Sequence, residues 1–350
     1  MNFFLIFTVI IFPLIILRSI KKIDCETTYL LGKQETSVIR GISAIFIIES
    51  HFLAWTIEMG AEVNKIPQLI VGQLGGIGVL LFFFVSGYGI YVSYAKDKIG
   101  RDFIKKRLEN VYIPYVFIKV MFLVLSCMQG RSEKLFEQIV RILLLEDWFI
   151  RVIVLQYFSF LFLGKVLGLQ KKRLIISSLI IDCVLSYVFI IKNKPLGWFN
   201  ALWLFTVGFI VAEYKEELIS WFKKGYIIKC IVLFIGFLIS GVLFAYYKGE
   251  IFWINIFKII SGCFLSLLIS GILRKVNLKS YILSYIGERS MYYYIVHLNV
   301  WDRLNQVNDV GKKVILALLM TVIVSEILFF IYKKLKEMIY GVFCRRKEFS

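Results

Sequence analysis

Residues 71–94, VGQLGGIGVLLFFFVSGYGIYVSY, form a continuous apolar stretch that contains no charged side chain. A helix needs roughly 20 mostly apolar residues to cross a hydrocarbon core about 30 Å thick. Backbone groups left unpaired in hydrocarbon cost several kcal/mol each, so a spanning segment of this kind must be helical or part of a closed barrel. The stretch predicts a transmembrane helix.

Similar apolar stretches occupy most of the remaining chain. They lie near residues 3–20, 40–57, 112–128, 148–167, 174–191, 197–213, 227–246, 252–273, 281–300 and 313–333. The chain is 59% hydrophobic and 19% charged, with a mean hydropathy of +0.78, and soluble domains do not have this composition. The sequence predicts an all-α, polytopic transmembrane helix bundle of about 10–11 spans.

The net charge of +18 raises the possibility of a nucleic-acid partner, but the positions of the lysines and arginines argue against it. Basic residues are concentrated in alternate loops, as the positive-inside rule requires. Residues 95–111 carry six of them, whereas residues 58–70 and 247–251 carry one lysine each. This pattern predicts a multi-pass protein of the cell membrane, with the N-terminus outside and the C-terminus in the cytoplasm.

Ionisable side chains are costly inside a membrane, so each one is a candidate functional residue. The candidates are Glu49, His51, Asp182, Glu213, His297 and Glu326, with Arg40 at one membrane border. The alternative for each is a structural role, in which the side chain caps a helix or joins two helices. The six cysteines show no C-x-x-C spacing, and we expect neither a metal site nor a disulfide framework.

Arg40 and His51 are eleven residues apart, about three helical turns, so both project from the same helix face. A rise of about 1.5 Å per residue places His51 about 16 Å deeper than Arg40. This geometry suits an anionic substrate that is held by Arg40 and reacts near His51. In the alternative, Arg40 is a border anchor and His51 bonds a neighbouring helix. Glu49 lies about 200° from His51 around the helix, so we expect its partner on another helix.

His297 shares a helix face with Tyr294 and Ser290, which precede it by three and seven residues. If residues 281–300 form one continuous helix, His297 lies about 24 Å from the inner end, near the outer face. This placement predicts that Ser290 and Tyr294 bind an acceptor substrate on the outer side. A histidine bonded to a helix carbonyl is the alternative.

Several segments resemble the membrane acyltransferase 3 family. Residues 40–52, RGISAIFIIESHF, are similar to its first core helix, in which an arginine is followed by ten residues and a histidine. Residues 75–90 resemble the next helix, and residues 286–298, IGERSMYYYIVHL, resemble the penultimate one. Residues 103–115, FIKKRLENVYIPY, resemble its basic stretch but carry Asn110 where the family usually has arginine.

The resemblance implies a membrane O-acyltransferase, more narrowly an O-acetyltransferase. Such an enzyme moves an acetyl group from cytoplasmic acetyl-CoA to a hydroxyl of a cell-surface polysaccharide or lipid-linked carbohydrate of the cell envelope. Acetyl-CoA would be a co-substrate, and no metal is implied. We predict His51, Arg40 and His297 as catalytic residues, with His51 as a general base or a transient acyl carrier.

The phosphates of acyl-CoA would be neutralised by a basic cluster on the inner face. The predicted cluster is Arg40, Arg107, Lys106 and Lys105. For the lysines, ordinary positive-inside topology is the competing explanation.

The resemblance divides the chain into three predicted parts. These are residues 1–35, an added N-terminal transmembrane helix with a cytoplasmic linker; residues 36–335, the acyltransferase-like membrane domain; and residues 336–350, a basic cytoplasmic tail. A polytopic transporter or flippase of sugars or lipid-linked intermediates would share the hydropathy and charge, as would a polysaccharide polymerase. The oligomeric state and the acceptor sugar stay open.

Overall fold

The computed structural model describes residues 12–22, 30–97, 103, 105, 107–130, 134–167, 171–247 and 249–348. Within this part of the chain, eight helices are long and apolar enough to cross a membrane. The prediction of an all-α, polytopic bundle is therefore confirmed. Of the first predicted span, near residues 3–20, the part up to residue 11 lies outside the described residues, Phe12–Ser19 form a short helix and Ile20 begins a strand.

The elements follow one another along the chain in this order. They are α1 (Phe12–Ser19), β1 (Ile20–Lys22), α2 (Lys33–Glu58), α3 (Lys65–Asp97), a π-helical turn (Leu108–Tyr112), α4 (Ile113–Met128), α5 (Leu135–Leu143), α6 (Trp148–Leu167), α7 (Lys171–Ile191), α8 (Gly197–Asn200), α9 (Leu202–Glu213), α10 (Lys215–Lys223), α11 (Tyr226–Tyr246), α12 (Ile251–Ile272), β2 (Val276–Leu278), α13 (Tyr281–Glu288), α14 (Ser290–Arg303) and α15 (Val310–Glu348).

Two predicted spans are broken helices. The stretch 197–213 divides into α8 and α9, and the stretch 281–300 divides into α13 and α14 at Arg289. The backbone N–H of Arg289 donates to the carbonyl of Ile286 at 3.1 Å, a tight turn that ends α13. Hydropathy alone shows no break here, because both halves are apolar.

Close backbone contact fixes α13 against α2. A Cβ atom added to Gly287 would lie 1.8 Å from the carbonyl oxygen of Ser37, and one added to Gly41 would lie 2.0 Å from the carbonyl oxygen of Leu283. Small residues drive membrane helix packing because they let backbones approach. The two glycines therefore set the distance between α2 and the α13–α14 segment.

Two further features connect the ends of the chain to the bundle. Strands β1 and β2 pair antiparallel, with Ile20 opposite Leu278, and so attach the N-terminal segment to the connection between α12 and α13. Helix α15 continues without interruption from Val310 to Glu348, so the predicted boundary between residues 335 and 336 falls within a helix.

Candidate active site

The two histidines of the chain meet inside the bundle. Nδ1 of His51, in α2, lies 2.9 Å from Nε2 of His297, in α14. His297 is completely buried, and His51 is partly exposed. The sequence placed His297 nearer the outer face than His51, but the structure brings the two rings together. The reason is the length of α2, which begins at Lys33 and not near residue 40, so His51 lies about 27 Å from the inner end of its helix and close to the predicted outer end.

Hydrogen bonds assign the protons of this histidine pair. The Nδ1 of His297 lies 3.1 Å from the carbonyl oxygen of Tyr293, which can only accept a hydrogen bond. Nδ1 of His297 therefore carries the proton, and in a neutral ring Nε2 accepts from Nδ1–H of His51. The remaining atom, Nε2 of His51, keeps its lone pair and can act as a base or a nucleophile.

Aromatic rings pack against the histidine pair. The Trp55 ring lies 5.5 Å from the His51 ring and 5.9 Å from the His297 ring, centroid to centroid. Trp301 stacks on Trp55 at 4.9 Å, and Phe52 packs on both His297 and Trp301. These apolar rings limit water at the pair, and electrostatic interactions are stronger in such a low-dielectric setting.

Arg40 lines a cavity of about 450 Å³. Its Nε donates to the carbonyl of Thr36 at 3.3 Å, and Arg107 and Glu288 are within electrostatic range of its guanidinium. Among the described residues that form the wall, neither histidine is present. Tyr294 does line the cavity, and its ring lies 5.7 Å from the His297 ring and 4.8 Å from the Phe149 ring. Tyr294 is thus the contact between the cavity and the histidine pair.

Ser290 and Tyr294 line the Arg40 cavity rather than an outer site. Their expected outer placement rested on the helix face that they share with His297, but Tyr294 and Ser290 lie about 4 and 10 Å nearer the start of α14 than His297 does. Tyr292 also lines the cavity, and its hydroxyl is buried without a hydrogen-bond partner in the described structure. Buried hydroxyls normally have partners, so a polar group of a bound molecule would satisfy it. That Ser290 and Tyr294 bind substrate stays a prediction.

The predicted basic cluster is only partly assembled. Lys105 is exposed and lies 3.8 Å from Glu109, and Lys106 falls outside the described residues. Nη2 of Arg107 donates to Ser93 at 3.1 Å, and its guanidinium lies over the Phe103 ring at 5.2 Å. Neither Lys105 nor Arg107 is among the described residues that line the cavity. That these two residues bind the donor stays a prediction.

Lys333 and Lys336 of α15 line the cavity, although neither is among the site residues predicted from the sequence. Lys336 pairs with Glu109 at 2.8 Å, and the hydroxyl of Tyr332 donates to the Glu109 carbonyl at 3.0 Å, so α15 is held at this wall. A run of lysines after an apolar span normally marks the membrane border, so the sequence gives no separate sign that such a lysine also lines a cavity. Their spacing of three residues, which places both on one helix face, was the available signal.

The other intramembrane carboxylates join helices. Asp182 of α7 accepts from Gln156 at 2.7 Å and from Thr206 at 2.5 Å, connecting α6, α7 and α9. Glu326 of α15 accepts from the hydroxyls of Tyr285 and Tyr293 at 2.5 and 2.8 Å.

Glu213 and Glu49 lie between helices as well. Glu213 of α9 accepts from the Tyr91 hydroxyl and pairs with Lys171 at 2.7 Å. Glu49 is buried at the wall of a second, mostly apolar cavity of about 420 Å³ between α2, α13, α14 and α15. For Asp182, Glu213 and Glu326, these contacts favour the structural role.

A sequence model described as an acyltransferase domain matches residues 35–333, which include Arg40, both histidines and Lys333. The chain belongs to the membrane acyltransferase 3 family. It is a multi-pass membrane acyltransferase, and the predicted enzyme class is confirmed. No curated protein and no solved structure matches this acyltransferase.

The histidine pair predicts unequal effects of two substitutions at His297 of the acyltransferase. His297→Gln keeps a side-chain acceptor for Nδ1–H of His51, whereas His297→Leu fills similar space and removes it. In the Ser-His-Asp triad, replacing the group that orients the histidine lowers kcat by about 10⁴-fold. We expect kcat of the Leu variant to fall by about 10²-fold or more, with the Gln variant within about tenfold of wild type. Equal activities of the two variants, at matched expression and thermal midpoint, would contradict the assigned protons.

Proposed function

We propose that this acyltransferase moves an acetyl group from acetyl-CoA to a hydroxyl of a cell-surface or lipid-linked carbohydrate. The observation that supports this most is the histidine pair, which leaves Nε2 of His51 as an available base beside an arginine-lined cavity. Family membership supports acyl transfer and does not support the transporter or polymerase alternatives.

The Arg40 cavity is the proposed donor site. Its cationic groups are Arg40, Lys333 and Lys336, and coenzyme A carries several phosphate charges that such groups bind well. The unsatisfied hydroxyl of Tyr292 provides a further polar contact. Basic residues of α15 also lie at the border that the positive-inside rule assigns to the cytoplasm, where acetyl-CoA is available.

The acyl end of the donor would lie toward Tyr294. This ring is packed between Phe149 and His297, so the path from the cavity to the histidine pair is narrow. A short acyl group such as acetyl fits a narrow path better than a long chain. Transfer requires the Tyr294 ring to turn aside or the acyl group to pass its edge.

The chemistry follows from the proton positions. Nε2 of His51 takes the proton of the acceptor hydroxyl as its oxygen attacks the acyl carbonyl, and the thiolate of coenzyme A leaves and receives that proton. His297 accepts from Nδ1–H of His51 throughout and so stabilises the imidazolium that forms. If His51 instead carries the acyl group, the attacking atom is the same Nε2.

The first test measures acetyl transfer directly. Purified protein in nanodiscs is expected to hydrolyse or transfer labelled acetyl-CoA, and His51→Ala is expected to abolish this because it removes Nε2. The control is Asn299→Ala, because Asn299 is on the same helix as His297 and its side-chain amide donates to the Ile295 carbonyl at 2.8 Å. Wild-type turnover by a folded His51→Ala protein would remove His51 from the mechanism.

The second test concerns the donor site. Lys333→Ala should raise KM for acetyl-CoA by roughly three- to thirtyfold, because a charged hydrogen bond to phosphate is lost, and should leave kcat within about twofold. The matched control is Lys334→Ala, which removes the neighbouring lysine. Lys334 pairs with Glu337 at 3.6 Å and is not among the described residues that line the cavity. Equal KM values for the two variants would place the phosphates elsewhere.

A further inference from the structure

Lys258 is an intramembrane lysine that the mechanism above does not use. It lies in α12, a candidate membrane span, seven residues from the start of the helix at Ile251. Ile254 and Gly262, one turn before and one turn after it, are buried in the bundle. Because residues four apart share a helix face, Lys258 points into the protein and not into lipid.

The ammonium of Lys258 lies between α3 and α11. A Cβ atom added to Gly76 would be 2.6 Å from Nζ, so the glycine leaves the space that the ammonium occupies. Nζ also lies 4.7 Å from the centre of the Phe244 ring. No carboxylate of the described residues is found within 4.0 Å of Nζ.

A second polar group lies one turn from Lys258 on the same helix. Asn255 has a buried side-chain oxygen, Oδ1, with no hydrogen-bond partner in the part of the chain that the structure describes. A cation–π contact compensates only part of the cost of a buried ammonium, and an unsatisfied buried acceptor adds to that cost. Lys258 and Asn255 together therefore present an anion-binding donor and a free acceptor at one place inside the membrane.

This polar pair lies at about the depth of the histidine pair. Lys258 is seven residues from the predicted outer end of α12, and His51 is seven residues from the predicted outer end of α2, which is about 10 Å in each case. Helix α3 lies between them, because Gly76 faces Lys258 while the adjacent Gly75 packs on Ser50, the residue before His51.

We infer that Lys258 and Asn255 form an acceptor subsite for a saccharide that bears an anionic group. The ammonium would donate to a phosphate or carboxylate oxygen, and Oδ1 of Asn255 would accept from a sugar hydroxyl. The anion belongs either to the phosphate of a lipid-linked saccharide or to the carboxylate of a uronic acid. This inference rests on the proposed function, since it defines the acceptor of that reaction.

The test measures binding, which does not depend on acyl transfer. Full-length protein in dodecyl maltoside is titrated with dodecyl phosphate, dodecyl glucuronide or neutral dodecyl glucoside, and the thermal midpoint is followed by tryptophan fluorescence. We expect the thermal midpoint to rise saturably with at least one anionic probe and to stay unchanged with the neutral probe. Lys258→Gln should weaken the apparent affinity for that probe by roughly tenfold or more.

Lys229→Gln is the charge-matched control, because it removes a lysine of α11 that bonds the Trp221 carbonyl, and it should bind as wild type does. If Lys258→Gln does not fold, Asn255→Ala gives a second measurement, with weaker binding of the glucuronide or phosphate expected.

A response to phosphate alone supports a lipid-linked acceptor, and a response to glucuronide alone supports a uronic acid. Equal responses of wild type and Lys258→Gln, or equal responses to anionic and neutral probes, would overturn the inference. An enzyme that shows Lys258-dependent binding but no acetyl transfer would contradict only the proposed function.

Discussion

The hydrogen bond between His51 and His297 connects two helices that are far apart in the chain and determines which nitrogen can react. It depends on the close contact of α13 with α2 at Gly41 and Gly287, which fixes the position of α14. It depends equally on the Tyr293 carbonyl, which holds the proton on Nδ1 of His297. One imidazole thus orients the other, a role that a carboxylate has in many hydrolases.

The proposed donor site and the inferred acceptor subsite lie in different parts of the helix bundle. Three cationic side chains, Arg40, Lys333 and Lys336, line the Arg40 cavity together with the carboxylates of Glu109 and Glu288, and Tyr294 lies between this cavity and the histidine pair. The inferred acceptor subsite at Lys258 lies beyond α3. On the proposed function, the donor and the acceptor therefore reach His51 from different parts of the bundle.

The transmembrane helices and part of the candidate site were predictable from short-range sequence periodicity. The apolar stretches gave the helices, and the eleven-residue spacing placed Arg40 and His51 on one face of α2. The contact of His51 with His297 was not predictable, because it depends on the register set by Gly41 and Gly287 and on a helix α2 that begins at Lys33, and hydropathy shows neither. The lysines of α15 were missed because a membrane-border lysine and a cavity lysine look alike in sequence.

The central claim, that Nε2 of His51 is the unprotonated and reactive atom, can be tested by nitrogen NMR. The chain contains only two histidines, so ¹⁵N-histidine labelling in nanodiscs gives two assignable rings. The account predicts two neutral imidazoles, both protonated at Nδ1, with a correlation across the hydrogen bond from Nδ1 of His51 to Nε2 of His297. A His51 ring protonated at Nε2, or two rings without such a correlation, would contradict it.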